Sequence, residues 1–372
     1  MKSRVAAGYV LLIAVVCVLA SWQARVVVGA ASANNNWDRK AAARYLDDRE
    51  IWWQSWPRAQ KDHGTVCISC HTQVPYALAR PLLVRELGEA GMSPAQTAMM
   101  ASVEKRVNGW ADMATFYNDA KSGPGKTVES RATEAVLNAV ILASFDTADD
   151  KLRPITRKAF DEAWALQETS GKIAGAWKWQ NFHLGPWEGD ESEYQGAALL
   201  MVAALNAPQG YAKEPEVKQH LAALQQYLRQ GYASQPVLNQ LYVLWASARD
   251  RYLLSSNPRK MLLSKLQELQ LPDGGWATAA MDAHERVDHS PAPQTSDGYA
   301  TGVAVLAMEQ AGVSLQDASL LRGRIWLQQH QAAGGTWSAS SINKVREPGS
   351  DAEPFMRDAA TAYAVMALDE KK

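Results

Sequence analysis

The sequence predicts an all-α protein, an (α/α)6 toroid in which six inner helices form a barrel and six outer helices surround it. Apolar residues recur at helical spacing, Gly, Pro, Asn and Asp separate these segments, and no segment alternates with a period of two for long. Helices that are apolar on every side also alternate with amphipathic ones. One such pair recurs about every 45 to 65 residues, which is typical of stacked helical hairpins.

The predicted inner helices are rich in Ala and Leu, and the outer helices carry Lys, Arg, Gln and Glu on one face. The inner helices are predicted over 71–87, 131–145, 194–206, 237–249, 298–311 and 358–368. The outer helices are predicted over 38–59, 94–118, 154–168, 216–230, 258–269 and 320–331. Nothing after the last inner helix could cover it, so closure into a ring is favoured over an open right-handed solenoid.

Composition and charge exclude several classes of protein. The chain has 372 residues, of which 47% are hydrophobic and 21% charged, and this excludes a disordered or collagen-like chain. Lys and Arg total 38 and Asp and Glu total 39, so there is no basic surplus for binding nucleic acid. The length would allow two domains, but the strict alternation of helices predicts a single one over 34–372.

Residues 1–33 predict an export signal. Two basic residues precede an almost uninterrupted apolar run over 5–22, and Ala31, Ser32 and Ala33 stand before three asparagines. We therefore expect cleavage before Asn34 and a periplasmic or secreted protein, with a retained N-terminal anchor helix as the alternative. No other stretch of the sequence is long and apolar enough to cross a membrane.

Glutamine and tryptophan recur where the predicted outer helices end. The segment 322–337 runs through Gln331 and two glycines to Trp337, and the segments that end at Trp276 and Trp177 repeat it in part. This pattern resembles the Gln-Trp repeat of squalene-hopene cyclases and related terpenoid-cyclase toroids, over residue 154 to the C-terminus. The resemblance implies that the Gln side chain meets the N-terminus of the next helix and that the indole packs above it. Unpaired helix N–H groups and the large area of an indole make this physically sensible.

The resemblance does not bring the cyclase chemistry with it. Squalene-hopene cyclases protonate an alkene with the middle Asp of an Asp-x-Asp-Asp motif, which this sequence lacks. The nearest positional analogue is Asp297, which we expect to cap a helix, because the helix dipole stabilises its anion. Related prenyltransferases hold zinc with Asp, Cys and His, and no Cys remains in the corresponding helices.

The sequence has three cysteines, one of which lies in the predicted signal. The other two form the motif Cys67-Ile68-Ser69-Cys70-His71, and positions i, i+3 and i+4 share one face of a helical turn. Cys-x-x-Cys-His resembles the attachment motif of c-type cytochromes. The resemblance implies one covalent haem c, held by two thioether bonds, with His71 as an iron ligand. The alternatives are a redox dithiol, a zinc half-site and a local disulfide.

The motif is predicted to open the first inner helix, so a haem would lie at the mouth of the barrel, where all inner helices begin. In a closed ring the sixth inner helix borders the first, which would bring Met356 to the distal side of the iron. Core packing is the alternative for Met356, and His183 is the next candidate for the distal ligand. Arg357 is predicted to pair with a haem propionate. Less favoured candidate ligands are Met281, His284 and His289. The same rim of the barrel is predicted to carry Glu129, Arg131, Glu191, Glu193 and Asp358.

These features predict an exported c-type cytochrome that transfers one electron to or from a periplasmic redox partner protein. The alternative is a haem enzyme or a haem-linked binder of an apolar, terpenoid-like molecule, for which Trp177, Trp179 and Trp187 would provide an aromatic rim. A third possibility is a haem-free scaffold of terpenoid-cyclase type. A bound Met favours electron transfer, whereas an open sixth position favours catalysis.

Overall fold

The computed structural model describes residues 37–282 and 284–369, and the predicted export signal over 1–33 lies outside them. The described chain contains fourteen α-helices and one short β-hairpin. The helices are α1 (Arg39–Ser55), α2 (Gln73–Leu87), α3 (Pro94–Asn108), α4 (Asp119–Ser122), α5 (Lys126–Asp149), α6 (Pro154–Ala165), α7 (Ser192–Asn206), α8 (Pro215–Gly231), α9 (Val237–Ala246), α10 (Ser256–Leu269), α11 (Thr278–Met281), α12 (Gly298–Gln310), α13 (Ala318–Gln329) and α14 (Phe355–Leu368). The antiparallel hairpin pairs β1 (Gln60–Lys61) with β2 (Thr65–Val66). None of these helices is long and apolar enough to span a bilayer.

Six inner helices form a closed ring. In chain order α2, α5, α7, α9, α12 and α14 each contact the next, and α14 contacts α2. The predicted all-α toroid is confirmed, and each of the twelve predicted inner and outer helices has a counterpart in the structure.

The inner helices lie close together because small residues face their neighbours. In α12, every residue from Gly298 to Met308 is buried, as expected for a helix that is apolar on all sides. A Cβ atom on Gly302 would lie 2.8 Å from the backbone of Tyr363 and Ala364 in α14. A larger side chain there would push the two helices apart.

The Gln and Trp side chains join neighbouring repeats in the way that the resemblance implies. Gln331 accepts a hydrogen bond of 2.6 Å from the backbone N–H of Asp38, and its amide donates one of 3.0 Å to the Asp38 carbonyl. Trp337 donates to the Leu327 carbonyl at 2.7 Å and packs edge-on against Trp37. Because Asp38 is the N-cap of α1, these contacts join the last outer helix to the first.

Several sequence predictions about helix ends are wrong, and the largest difference is in the second outer helix, which is predicted over 94–118 but ends at Asn108. The Cys-x-x-Cys-His motif does not form the start of α2, which begins only at Gln73, because the chain has no regular structure over 67–69 and forms a turn over 70–72. The first outer helix ends at Ser55, four residues earlier than predicted, since Pro57 restricts the residue before it.

Gly335 lies where the two ends of the ring meet. Its φ is +85°, and a Cβ atom there would overlap the backbone of Ala41 and Ala42 in α1. Gly312 has a similar φ of +76°, but no atom lies within 4 Å of the position that a Cβ atom would take there. A substitution at Gly312 therefore measures only the free-energy cost of a non-glycine residue in the left-handed backbone conformation.

We predict that Gly335→Ala destabilises the protein more than Gly312→Ala does. The left-handed backbone should cost each variant about 1 to 2 kcal/mol, and overlap with α1 should cost Gly335→Ala about 1 to 3 kcal/mol more. Urea unfolding of the two variants measures the difference. Equal losses of unfolding free energy would show that the contact with α1 does not limit closure of the ring.

Candidate functional site

A cavity of about 230 Å³ opens at the mouth of the barrel. Most of its walls come from segments that lead into the inner helices α2, α5, α7 and α14, so it lies at the end where these helices begin, and the end of α1 completes it. Its lining residues are Trp53, Trp56, Cys67, Ile68, Ser69, Cys70, His71, Tyr117, Leu184, Gly185, Trp187, Glu188, Ser341, Asn343, Arg346, Ala352, Phe355 and Met356.

Backbone contacts hold the cysteine motif in the cavity wall. The N–H of Cys67 donates to the Ala59 carbonyl at 2.8 Å, and the indole N–H of Trp53 donates to the Cys67 carbonyl at 2.8 Å. The Ser69 hydroxyl accepts from the N–H groups of Thr72 and Gln73, which satisfies two donors at the start of α2. The motif is therefore fixed by the hairpin on one side and by α2 on the other.

Both cysteines are free thiols in this cavity. Burial raises the pKa of Cys67 to about 11, and burial also raises the pKa of Cys70. Both side chains are therefore protonated at neutral pH, which makes them weak nucleophiles in this state.

His71 is a neutral imidazole enclosed by aromatic rings. Burial, followed by the positive charges of Arg49 and Arg346, lowers its pKa to about 3. Its ring stacks on Phe355 with 3.8 Å between centroids and contacts Trp53 edge-on at 5.3 Å. Its Nδ1 lies 2.9 Å from the Thr72 hydroxyl. A neutral imidazole has one nitrogen able to accept a hydrogen bond or a metal.

The structure brings together four of the residues predicted to form the site. Cys67, Cys70, His71 and Met356 all line the cavity, and Met356 is buried. Their attachment to a haem stays a prediction. Asp297 is an N-cap, as predicted, and accepts from two N–H groups at the start of α12.

The other predicted ligands lie elsewhere. Arg357 forms an ion pair with Glu353 and does not line the cavity. The side chain of His183 is 77% exposed and pairs with Asp190. Met281, His284 and His289 do not line the cavity either.

Two ionisable residues of the cavity were missed by the sequence interpretation. Burial raises the pKa of Glu188 to about 7, although Lys126 opposes the shift. Arg346 is half-buried, burial lowers its pKa, and it makes no ion pair within the described ranges. Both residues lie in loops and belong to no sequence motif. The one signal for Glu188 is its neighbour Trp187, which the sequence places on the aromatic rim, and Arg346 has no such signal.

Solved structures share the toroid fold. A variant of UGL, an unsaturated glucuronyl hydrolase, in complex with dGlcA-Glc-Rha-Glc, has a TM-score of 0.54 at 12% identity, over 89% of this chain and 95% of that chain. A wild-type glycosidase has a TM-score of 0.51 at 12% identity, over 88% of this chain and 96% of that chain. At such identities the likeness shows the fold alone. No family model and no curated protein matches the chain.

These findings correct the functional prediction. The two solved structures described above are glycosidases, and the residues described hold no group of three His, Cys, Asp or Glu side chains that could bind a metal ion. The prediction of a c-type cytochrome for one-electron transfer is wrong, as is its alternative of a haem enzyme or haem-linked binder. The error has a physical cause: a five-residue motif specifies an attachment chemistry, whereas function depends on the whole cavity, including residues such as Glu188.

We predict that Glu188 makes the protein less stable as the pH rises from about 4.5 to about 7. In this range the unfolded chain ionises Glu188 near its ordinary pKa of 4.5, while the folded chain keeps the proton up to about pH 7. The stability that this proton contributes is complete below pH 4.5 and is lost as the pH passes through 7.

The test compares urea unfolding of the wild type, Glu188→Gln and Glu347→Gln at pH 4.5 and pH 8. The decrease in unfolding free energy between these pH values should be smaller in Glu188→Gln, while the exposed Glu347→Gln should behave as the wild type. An unchanged decrease in Glu188→Gln would contradict the assignment.

Proposed function

We propose that the chain is a glycoside-processing enzyme and that the mouth cavity is its active site. The observation that carries this proposal is Glu188, a carboxyl group that is still protonated near neutral pH in a cavity with aromatic walls. Glycosidases among the solved structures with this fold support the same reaction class.

The walls of the cavity suit a sugar ring. Trp53, Trp56 and Trp187 supply flat apolar surfaces, and Asn343 supplies an amide for hydroxyl groups. Arg346 has no ion pair in the part of the chain described and can bind a carboxylate on an acidic sugar.

Glu188 would act as the general acid. A protonated carboxyl with a pKa near 7 can donate its proton to the oxygen of a glycosidic bond, and water can then add to the anomeric carbon and return a proton to the carboxylate. Glu188 is the single carboxyl group among the described residues that line the cavity, so the common arrangement of two facing carboxylates is not present there.

We predict that Glu188→Gln lowers glycoside cleavage by about 100-fold or more, because a missing general acid costs about 10² to 10⁴ in rate. The assay uses 4-nitrophenyl glycosides and oligosaccharides, with neutral and uronic-acid sugars compared. Binding of the same sugars, measured by calorimetry, should survive because the variant keeps the size of the side chain.

Glu347→Gln serves as the matched control and should retain full activity, since Glu347 is exposed and lies outside the lining of this cavity. The proposal fails if none of the sugars is bound or cleaved, or if Glu188→Gln is as active as the wild type.

We propose haem c separately, as a cofactor that would compete with a sugar for the same cavity. Two free thiols and the neutral His71 line one wall, and Met356 lines the cavity with them. Cys67 and Cys70 would hold the haem by thioether bonds, His71 would bind its iron, and Met356 would be a further candidate ligand. When bound, the group would supply an iron centre. The proposed contact of Arg357 with a propionate requires release from Glu353.

We predict that, if haem is the occupant, the chain gains the mass of one haem when it is exported together with a cytochrome c assembly system. Intact mass spectrometry and a pyridine haemochrome spectrum measure this. The double variant Cys67→Ala, Cys70→Ala should stay free of haem. A wild-type chain of unchanged mass would refute the cofactor proposal and leave the glycoside proposal standing.

The remaining sequence predictions also stay proposals. We propose export with cleavage before Asn34, which N-terminal sequencing of the mature protein would test. A closer kinship with terpenoid cyclases is supported by the Gln331 and Trp337 contacts alone, and these concern the scaffold. The predicted redox partner and the predicted single domain over 34–372 stay untested predictions.

A further inference from the structure

A relay of hydrogen bonds through His71, Thr72 and Asp358 leads from the cavity to the junction between α14 and α2. His71 Nδ1 lies 2.9 Å from Thr72 Oγ1, and this hydroxyl donates to Asp358 Oδ2 at 2.7 Å. Asp358 belongs to α14, whereas His71 and Thr72 precede α2, so the relay crosses the junction between the two ends of the toroid.

The Asp358 carboxylate can only accept in this arrangement. Its Oδ1 accepts from the Tyr45 hydroxyl at 2.6 Å and from Arg49 Nε at 2.8 Å, and its Oδ2 accepts from Arg49 Nε at 3.0 Å and from Thr72. Burial raises the pKa of Asp358, but Arg49 and the two hydroxyl donors favour its anion. A proton on either oxygen would compete with one of these donors.

The direction of the remaining bond follows from counting hydrogens. A Thr hydroxyl has one hydrogen, and Thr72 directs it to Asp358. Thr72 Oγ1 must therefore accept at its other contact, and His71 Nδ1 must donate. The ring lies between the apolar faces of Phe355 and Trp53, an environment that disfavours a second ring hydrogen and its charge, so the other nitrogen, Nε2, carries none.

We propose that Thr72 and Asp358 are positioning residues that keep the proton of His71 on Nδ1 and so present the Nε2 lone pair to the ligand of the cavity. A metal centre could accept this electron pair, and a sugar hydroxyl could donate a hydrogen bond to it. No hydrogen bond to Nε2 is found within the described ranges, and the stacked Phe355 ring fixes the plane of the imidazole. This inference goes beyond the proposed function and holds for either proposed occupant.

The test is the tautomer of His71, measured by ¹⁵N NMR on the purified chain labelled at histidine and produced without a haem-attachment system. In the wild type, the hydrogen should reside on Nδ1. Thr72→Val removes the acceptor and should move His71 largely to the Nε2–H form, whereas Thr72→Ser keeps the hydroxyl and should retain the wild-type signal.

Thr156→Val is the matched control. Thr156 is buried in the outer helix α6, and its hydroxyl makes no hydrogen bond with the described residues, so this substitution changes a Thr of equal size without touching the relay. Its His71 signal should equal that of the wild type. A hydrogen on Nε2 in the wild type, or an unchanged tautomer in folded Thr72→Val, would overturn the proposal.

Diethylpyrocarbonate gives a second readout that does not depend on any ligand. It acylates an unprotonated imidazole nitrogen, and peptide mass spectrometry reports the reaction at His71 alone. Acylation of His71 should fall severalfold in Thr72→Val and stay unchanged in Thr72→Ser and Thr156→Val. An equal rate in Thr72→Val would count against the relay even if the chain binds sugar or haem.

Discussion

The contact between the last repeat and the first is the constraint on which the rest of the structure depends. Inner helix α14 packs on α2, and Gln331 binds both backbone groups of Asp38 at the start of α1. Without this junction, two apolar helix faces would be exposed at the ends of a solenoid. The cavity depends on it as well, because Cys67 to His71 come from one end of the chain and Phe355 and Met356 from the other.

Few groups in the cavity are charged, because burial disfavours the ionised form of a side chain. Burial keeps the thiols and Glu188 protonated and His71 neutral at or below neutral pH, so Arg346 is the charged group that remains among the described lining residues. Such a cavity favours a ligand that is mostly uncharged but carries an anionic group. A uronic-acid glycoside and a haem with its propionates both have this character, which is why the two proposed occupants cannot be separated by charge alone.

Much of the fold could be predicted from the sequence, because helical periodicity is a local property. The alternation of amphipathic and apolar helices identified all six hairpins, and Gln331 and Trp337 marked the junction between the last hairpin and the first. The site was predicted only in part. The Cys67, Cys70 and His71 side chains were found because they form a motif, whereas Glu188, Arg346 and the relay through Thr72 depend on distant segments meeting in space. The function inferred from the motif was wrong because the motif says nothing about those neighbours.

The ring has one junction that differs from the other five. The polypeptide itself connects each inner helix to the next from α2 to α14, but α14 and α2 are held together without a covalent link between them. Separation at this junction stretches no loop, so it is where the barrel can open at the lowest cost in chain conformation. Because the cavity lies across this junction, an opening of the ring there would also widen the cavity.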